Sequence, residues 1–165
     1  MSQLESVLAA YQRFPSEVQS LMLSTLNADG SPHASYAPFI VNEQHCFFVF
    51  TSGLSSHTQN LAERTQASVL LIADESQTSQ IFARQRLSYH CTAELLPKDN
   101  SRWTQICDRF QQRFGNIIEM LRSLPDFCIF QLTPFGGSFI MGFGAAYEVD
   151  PDNLDNLIPM QGGKS

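Results

Sequence analysis

The sequence predicts a mainly β domain of the α+β class, built as a closed antiparallel barrel with helices attached. Many short apolar segments of strand length are joined by polar turns, such as the one at Asp29–Gly30. Helical periodicity is confined to a few segments of the chain. The 165 residues are 43% hydrophobic, enough for one domain to bury a sizeable core without disulfides or a structural metal.

A helix and three strands are expected in the first third of the chain. Apolar residues recur at helical spacing from Gln3 to Phe14, which predicts a helix that ends at Pro15. Three strands are then predicted, at Glu17–Asn27, His33–Val41 and His45–Thr51. The third of these strands is apolar on both faces, as expected for a strand that is covered on both sides.

Three more helices and four more strands are expected after this region. Ser56–Arg64 has a serine in the capping position of a short helix. Leu87–Leu95 alternates apolar with polar side chains, which indicates a half-buried strand with Leu95 on its buried face. Longer helical patterns occupy Asn100–Phe114 and Asn116–Leu124. The remaining strands are predicted at Ala67–Ala73, Phe127–Leu132 and Ser138–Met141, with a turn at Pro134–Gly137 between the last two.

Charge and composition argue against several classes of partner. Asp and Glu number 16 against 10 Lys and Arg, for a formal net charge of -6. Duplex nucleic acid and acidic membrane surfaces need clustered cations, which this chain lacks. The N-terminus shows no basic start followed by an apolar run, and no apolar stretch approaches the ~20 residues of a membrane helix. We therefore expect a cytoplasmic protein with neither a nucleic-acid nor a membrane partner.

The scarcity of cations narrows the choice of an anion site. No Lys or Arg lies between Arg13 and Arg64, and only Arg84 and Arg86 lie between Arg64 and Lys98. The predicted helix start at 55–58 offers backbone amides, hydroxyls and an imidazole, which suit a phosphate or a carboxylate. The alternative is that the serines only cap the helix and the arginines only face water. No metal site is predicted, because the four histidines have no ligand spacing.

Glycines cluster near the end of the predicted barrel, at positions 136, 137, 142 and 144. Glycine within a strand often marks a close backbone approach by a ligand or a partner chain. Simple bending of the barrel at a corner explains the same cluster, and the sequence leaves both explanations open.

Four segments together resemble a known superfamily. They are DGSPHASYAPF (29–39), SGLSSHTQNL (52–61), IFARQRLSY (81–89) and GGSFIMGFGAAY (136–147). They are similar to the pyridoxamine 5'-phosphate oxidase-like FMN-binding split-barrel superfamily, and more narrowly to its heme-utilisation branch of the HutZ/HugZ type. The resemblance implies a six-stranded antiparallel split β-barrel with flanking helices, here over residues 1–150, followed by a surface tail over 151–165. It also implies a homodimer with two ligand sites at the subunit interface.

The same resemblance implies a cofactor and the residues that hold it. Many members bind FMN, whereas the heme-utilisation branch binds heme and is associated with oxidative release of its iron. By motif, Arg84 and Arg86 would approach the anionic groups of the ligand. Asp126 matches an acidic position that helps to set up the heme ligand. The remaining cofactor-binding candidates lie where flavin-binding relatives hold the FMN phosphate: Ser52, Ser55, His57 and Thr58.

Two positions depart from the pattern of the superfamily. The block G-R-F-V reads Gly137-Ser138-Phe139-Ile140 here, so one arginine is missing. Heme-degrading relatives use a histidine near the C-terminus as axial iron ligand, whereas the last histidine of this chain is His90. The sequence therefore leaves three functions open: a heme-binding protein with or without degradation of the heme, an FMN-dependent oxidoreductase, and a carrier without turnover. No catalytic residue is assigned.

Overall fold

The computed structural model describes residues 1–161 of the chain. It contains four α-helices and eight strands in the described residues. The helices are α1 (Gln3–Glu17), α2 (Ser56–Glu63), α3 (Ser101–Phe114) and α4 (Ile117–Arg122). The strands are β1 (Ser20–Leu26), β2 (Pro32–Val41), β3 (Phe47–Ser52), β4 (Gln66–Ile72), β5 (Arg86–Leu96), β6 (Phe127–Gly142), β7 (Ala145–Val149) and β8 (Leu157–Pro159). No helix in this range is both long and apolar enough to cross a membrane.

Six of the strands close into the barrel that the sequence predicts. Their order is β3-β2-β1-β4-β5-β6, every pairing is antiparallel, and β3 pairs with β6 to complete the ring. Closure removes the unpaired edges that an open sheet of this size would expose. The strands β7 and β8 continue the sheet beyond β6. The predicted six-stranded antiparallel barrel with flanking helices is confirmed.

Two apolar clusters share β3 between them. Phe47 and Val49 point into the barrel, where they join the main core. Phe48 and Phe50 point outward and pack against the apolar stripe of α3, which contains Phe110. The strand is apolar on both faces because the barrel lies on one side of it and α3 on the other.

The first helix is longer than predicted. It continues past Pro15 to Glu17. The Pro15 ring is buried, so its packing offsets the one backbone hydrogen bond that proline cannot donate. The N-terminal end is closed by a reciprocal pair of bonds between Ser2 and Glu5.

The turn predicted at Pro134–Gly137 does not exist, because β6 runs without interruption from Phe127 to Gly142. Pro134 is buried and is paired with Cys91, where the register between β5 and β6 shifts. This irregularity accommodates a residue that has no N–H to donate to the ladder.

Two details near the ends of elements also differ from prediction. Leu95, predicted on the buried face of its strand, is 49% exposed, and Leu96 is buried against the α3 cluster instead. In the predicted tail, Leu157 is buried and lies in β8, which pairs with β7. Residues 162–165 of that tail lie outside the described part of the chain. The division at residue 150 stays a prediction.

Candidate functional site

The segment between β3 and α2 is joined to Asp126 by two hydrogen bonds. The Gly53 N–H donates to the main-chain oxygen of Asp126 at 2.6 Å, and the Ser52 hydroxyl donates to its carboxylate at 3.3 Å. The pairing of Ser52 with Phe127 in the ladder brings the two segments together. Three of the candidates therefore meet in one place, since the Thr58 hydroxyl also donates to the Ser52 carbonyl at 2.5 Å.

Gly53 is required by this arrangement, although the sequence analysis did not single it out. A Cβ added at Gly53 would lie 2.8 Å from the Asp126 carbonyl oxygen, which is closer than real side chains approach. The position has no positive φ that would have identified it as a glycine turn. The only sequence signal was a glycine directly after an apolar strand.

Ser55 precedes α2 but does not cap it with its side chain. It occupies the N-cap, but its side chain makes no hydrogen bond to the first turn. The N–H groups at this end of the helix are therefore not capped by that hydroxyl, and they keep the partial positive charge of a helix start.

His57 is held as a neutral imidazole. Its Nδ1 lies 2.9 Å from the hydroxyl of Ser35, which in turn donates to the Leu23 carbonyl at 3.3 Å. The Ser35 hydroxyl therefore lies between the His57 imidazole and the Leu23 carbonyl and fixes the orientation of the ring. Burial lowers the pKa of His57, and the nearby His33 lowers it further. Both effects favour the neutral imidazole over the charged form.

Arg84 and Arg86 form a second group at the start of β5. The Arg84 guanidinium donates to the Ala73 carbonyl at 2.6 Å and to Glu75 at 3.3 Å. Arg86 donates to the main-chain oxygen of Arg84 at 2.9 Å. Each guanidinium has five N–H donors, so both keep donors for an anion.

Within one chain the two groups do not meet. No hydrogen bond or ion pair among the described residues joins Arg84 or Arg86 to the residues around Asp126. On β6 the partner of Arg86 is Ile140, thirteen residues from the partner of Ser52 at Phe127. The candidates thus lie in two separate groups within one chain.

Large apolar side chains are exposed beside both groups. Leu54 is 89% exposed next to Gly53, and Phe82 is 85% exposed next to Arg84. Tyr36 and Met22 are half exposed and face each other across β1 and β2. Exposed apolar groups this large and this numerous mark a surface that a ligand or a partner chain covers.

A sizeable cavity lies elsewhere. It has a volume of about 630 Å³ and lies between α1, the β2–β3 turn and α3. Arg113 lies in its wall and donates hydrogen bonds to the main-chain carbonyls of Phe39, Pro15 and Val18. This cavity contains none of the predicted site residues. The described residues also contain no cluster of three or more metal-ligating side chains.

A model of the pyridoxamine 5'-phosphate oxidase family matches residues 7–140. The chain belongs to this family. It is also 38% identical over 152 residues to the heme oxygenase HutZ of Vibrio cholerae, a match that covers 92% of this chain and 86% of HutZ. The resemblance inferred from four motifs is therefore confirmed for the family and for its HutZ-type members.

Solved structures of the family share the fold. A HutZ structure from Vibrio cholerae, described as a heme storage protein, has a TM-score of 0.73 at 37% identity. That match covers 81% of this chain and 91% of the HutZ chain. Campylobacter jejuni ChuZ has a TM-score of 0.85 at 28% identity, covering 97% of this chain and 64% of ChuZ. A heme-binding protein from Mycobacterium smegmatis, at 18% identity and a TM-score of 0.77, shares the fold alone.

Proposed function

We propose that this protein binds heme on the outer face of the barrel, at an interface between two copies of the chain. The observation that carries the proposal is 38% identity over 92% of the chain to a protein named heme oxygenase. The groups of the protein must complement those of the ligand. Heme has two carboxylates, a flat apolar macrocycle and an iron that needs an axial ligand.

The exposed surface around Arg84, Arg86 and Leu54 suits the carboxylates and the macrocycle of heme. The remaining donors of Arg84 and Arg86 suit carboxylates, which guanidinium groups bind bidentately. Exposed Leu54, Phe82 and Tyr36 supply apolar surface against which a macrocycle can pack. When bound, heme would supply the iron for oxygen chemistry, and the protein would supply binding, orientation and exclusion of water.

A second copy of the chain is proposed because the arginine group and the Asp126 group do not meet within one copy, so that each would supply half of a shared site. In a homodimer, Arg84 and Arg86 of one copy can lie beside the Asp126 group of the other. Phe143 at 73% exposure, together with Leu54 and Phe82, would be covered by the same association. Sedimentation equilibrium at micromolar concentration should give twice 18.5 kDa. A monomer would contradict the dimer and leave the half-sites apart.

Release of iron is expected to be slow or absent. The chain has no histidine after His90, so the axial ligand typical of the heme-utilisation branch has no counterpart. His57 lies within Ser52–Thr58, which makes it the imidazole closest to the candidate site by motif. Met160 lies in the tail, but a lone thioether is a weak ligand for ferric iron.

Titration of the ligand-free protein with hemin and, separately, with FMN tests the proposal. We expect a Soret band that saturates with hemin and no flavin uptake. The double variant Arg84→Ala with Arg86→Ala should weaken hemin binding by about tenfold or more, because each charge-assisted bond contributes ~1.5–3 kcal/mol. The matched control is Arg13→Ala with Arg102→Ala, which removes two exposed arginines that make bonds outside the candidate site.

Each competing outcome assigns a different function. Tight FMN binding without hemin uptake would make the protein an FMN-dependent oxidoreductase. Hemin binding with no loss of the Soret band under a reductant and oxygen would make it a carrier. A histidine-ligated spectrum that survives His57→Ala would exclude His57 as the ligand.

A further inference from the structure

Lys98 binds the main chain immediately before Asp126. Its Nζ donates to the Pro125 carbonyl at 2.9 Å and to the Leu124 carbonyl at 3.3 Å. Lys98 lies in the loop between β5 and α3, so the contact joins parts of the chain that are 26 and 27 residues apart. The two carbonyls lie in the short segment between the end of α4 and the start of β6.

An aromatic side chain fixes the position of this ammonium group. Nζ lies 5.9 Å from the centre of the Trp103 ring, and the guanidinium of Arg122 lies 6.0 Å from the same ring. Trp103 packs edge-on to Phe50, with ring centres 6.5 Å apart, and so belongs to the α3 cluster. A cation held over an indole face by cation–π attraction has fewer alternative positions than a free lysine.

Asp126 follows directly after the peptide that Lys98 binds. The Asp126 carbonyl accepts the Gly53 N–H at 2.6 Å, and the separation leaves no room for a Cβ at Gly53. The Asp126 carboxylate accepts the Ser52 hydroxyl. A shift of the 124–125 peptides therefore moves the acidic group and the loop of the candidate site together.

We propose that Lys98 is a positioning residue, which holds the 124–125 peptides so that Asp126 and the Ser52–Gly53 turn keep their geometry. Its effect on ligand binding rests on the proposed heme function, whereas its effect on the turn does not. Lys98 itself does not touch the ligand in this proposal.

The test compares three variants in the ligand-free protein and then with hemin. Lys98→Met removes the charge and keeps most of the side-chain length, whereas Lys98→Arg restores donors for the two carbonyls. Arg102→Met is the matched control, because Arg102 is an exposed cation of α3 that bonds to Gln131 and not to the 124–125 peptides. Amide hydrogen exchange at Gly53, followed by NMR, reports the turn without any ligand.

We expect Lys98→Met to speed exchange at Gly53 about three- to tenfold and to weaken hemin binding by a similar factor, with both reversed in Lys98→Arg and unchanged in Arg102→Met. Unchanged exchange at Gly53 in Lys98→Met would overturn the proposal, whatever hemin does. Faster exchange with unchanged hemin affinity would overturn the link between the turn and the ligand. If the unmodified protein takes up no hemin, the proposed function fails, and the exchange result still decides the role of Lys98 at the turn.

Discussion

Gly137→Ala should force β5 and β6 apart at a position where they approach closely. A Cβ at Gly137 would lie 2.0 Å from the Ser88 carbonyl oxygen and 3.0 Å from the ring of Tyr89. Ordinary contact requires more than 3 Å to a backbone oxygen, so the strands must separate locally by over ~1 Å or the ladder must break. The Tyr89 hydroxyl is bonded to that of Tyr11 inside the core, so this displacement also strains a buried pair.

We expect Gly137→Ala to lower the free energy of unfolding by about 3 kcal/mol, as for other overpacked backbone positions. For a chain of this length the midpoint of thermal unfolding should fall by about 6–12 °C. The adjacent substitution Gly136→Ala is the control, because nothing lies within 4 Å of a Cβ there and its φ is not positive. That variant should match the unmodified protein or gain about 0.4–1 kcal/mol from a less flexible unfolded chain.

Calorimetry and denaturant unfolding of the two variants side by side measure this difference. Equal stability of Gly137→Ala and Gly136→Ala would refute the close approach of β5 and β6 at this position. It would also remove the explanation of this glycine as a packing requirement and favour simple bending of the strand.

Two further predictions concern buried polar groups. Arg113→Met should lower the free energy of unfolding by about 2–3 kcal/mol, because its guanidinium donates to three main-chain carbonyls from a partly buried position. Arg109→Met removes one exposed hydrogen bond and should lower it by under ~1 kcal/mol. Equal unfolding midpoints of the two variants in urea would contradict this prediction. Burial raises the pKa of Tyr11 to about 12 and that of Tyr89 further. Unfolded tyrosine loses its proton near pH 10 while Tyr11 keeps it, so stability should fall as the pH rises from 10 to 12, by about 3 kcal/mol from Tyr11 alone. Unfolding measured across this range should show a shallower fall in Tyr11→Phe, and an identical slope would contradict the assignment.

Local patterns determined most of the elements. Alternation along β5 and the apolar stripe of α3 were visible in the sequence because each element buries one face. Element ends were less accurate. Pro15 predicts a helix end, yet its ring is buried inside α1, and such burial depends on tertiary contacts that no local rule contains.

The continuity of β6 could not be predicted from its own residues. Pro134, Gly136 and Gly137 together have the composition of a turn, and in isolation that composition favours one. Pairing with β5 along the whole strand, with a register shift opposite Pro134, is a tertiary contribution that overrides the local preference.

By itself, the sequence determined the class of fold, the family by its motifs, and the candidate residues Arg84, Arg86, Asp126 and Ser52–Thr58. The fold class follows from composition and local patterns, whereas the family and the candidate residues follow from the resemblance of short motifs. Only the tertiary structure decided that Asp126 meets Gly53, that His57 bonds to Ser35, and that the arginines lie in a separate group. Each of these depends on strands that are distant in sequence and become neighbours only when β3 pairs with β6 and the barrel closes.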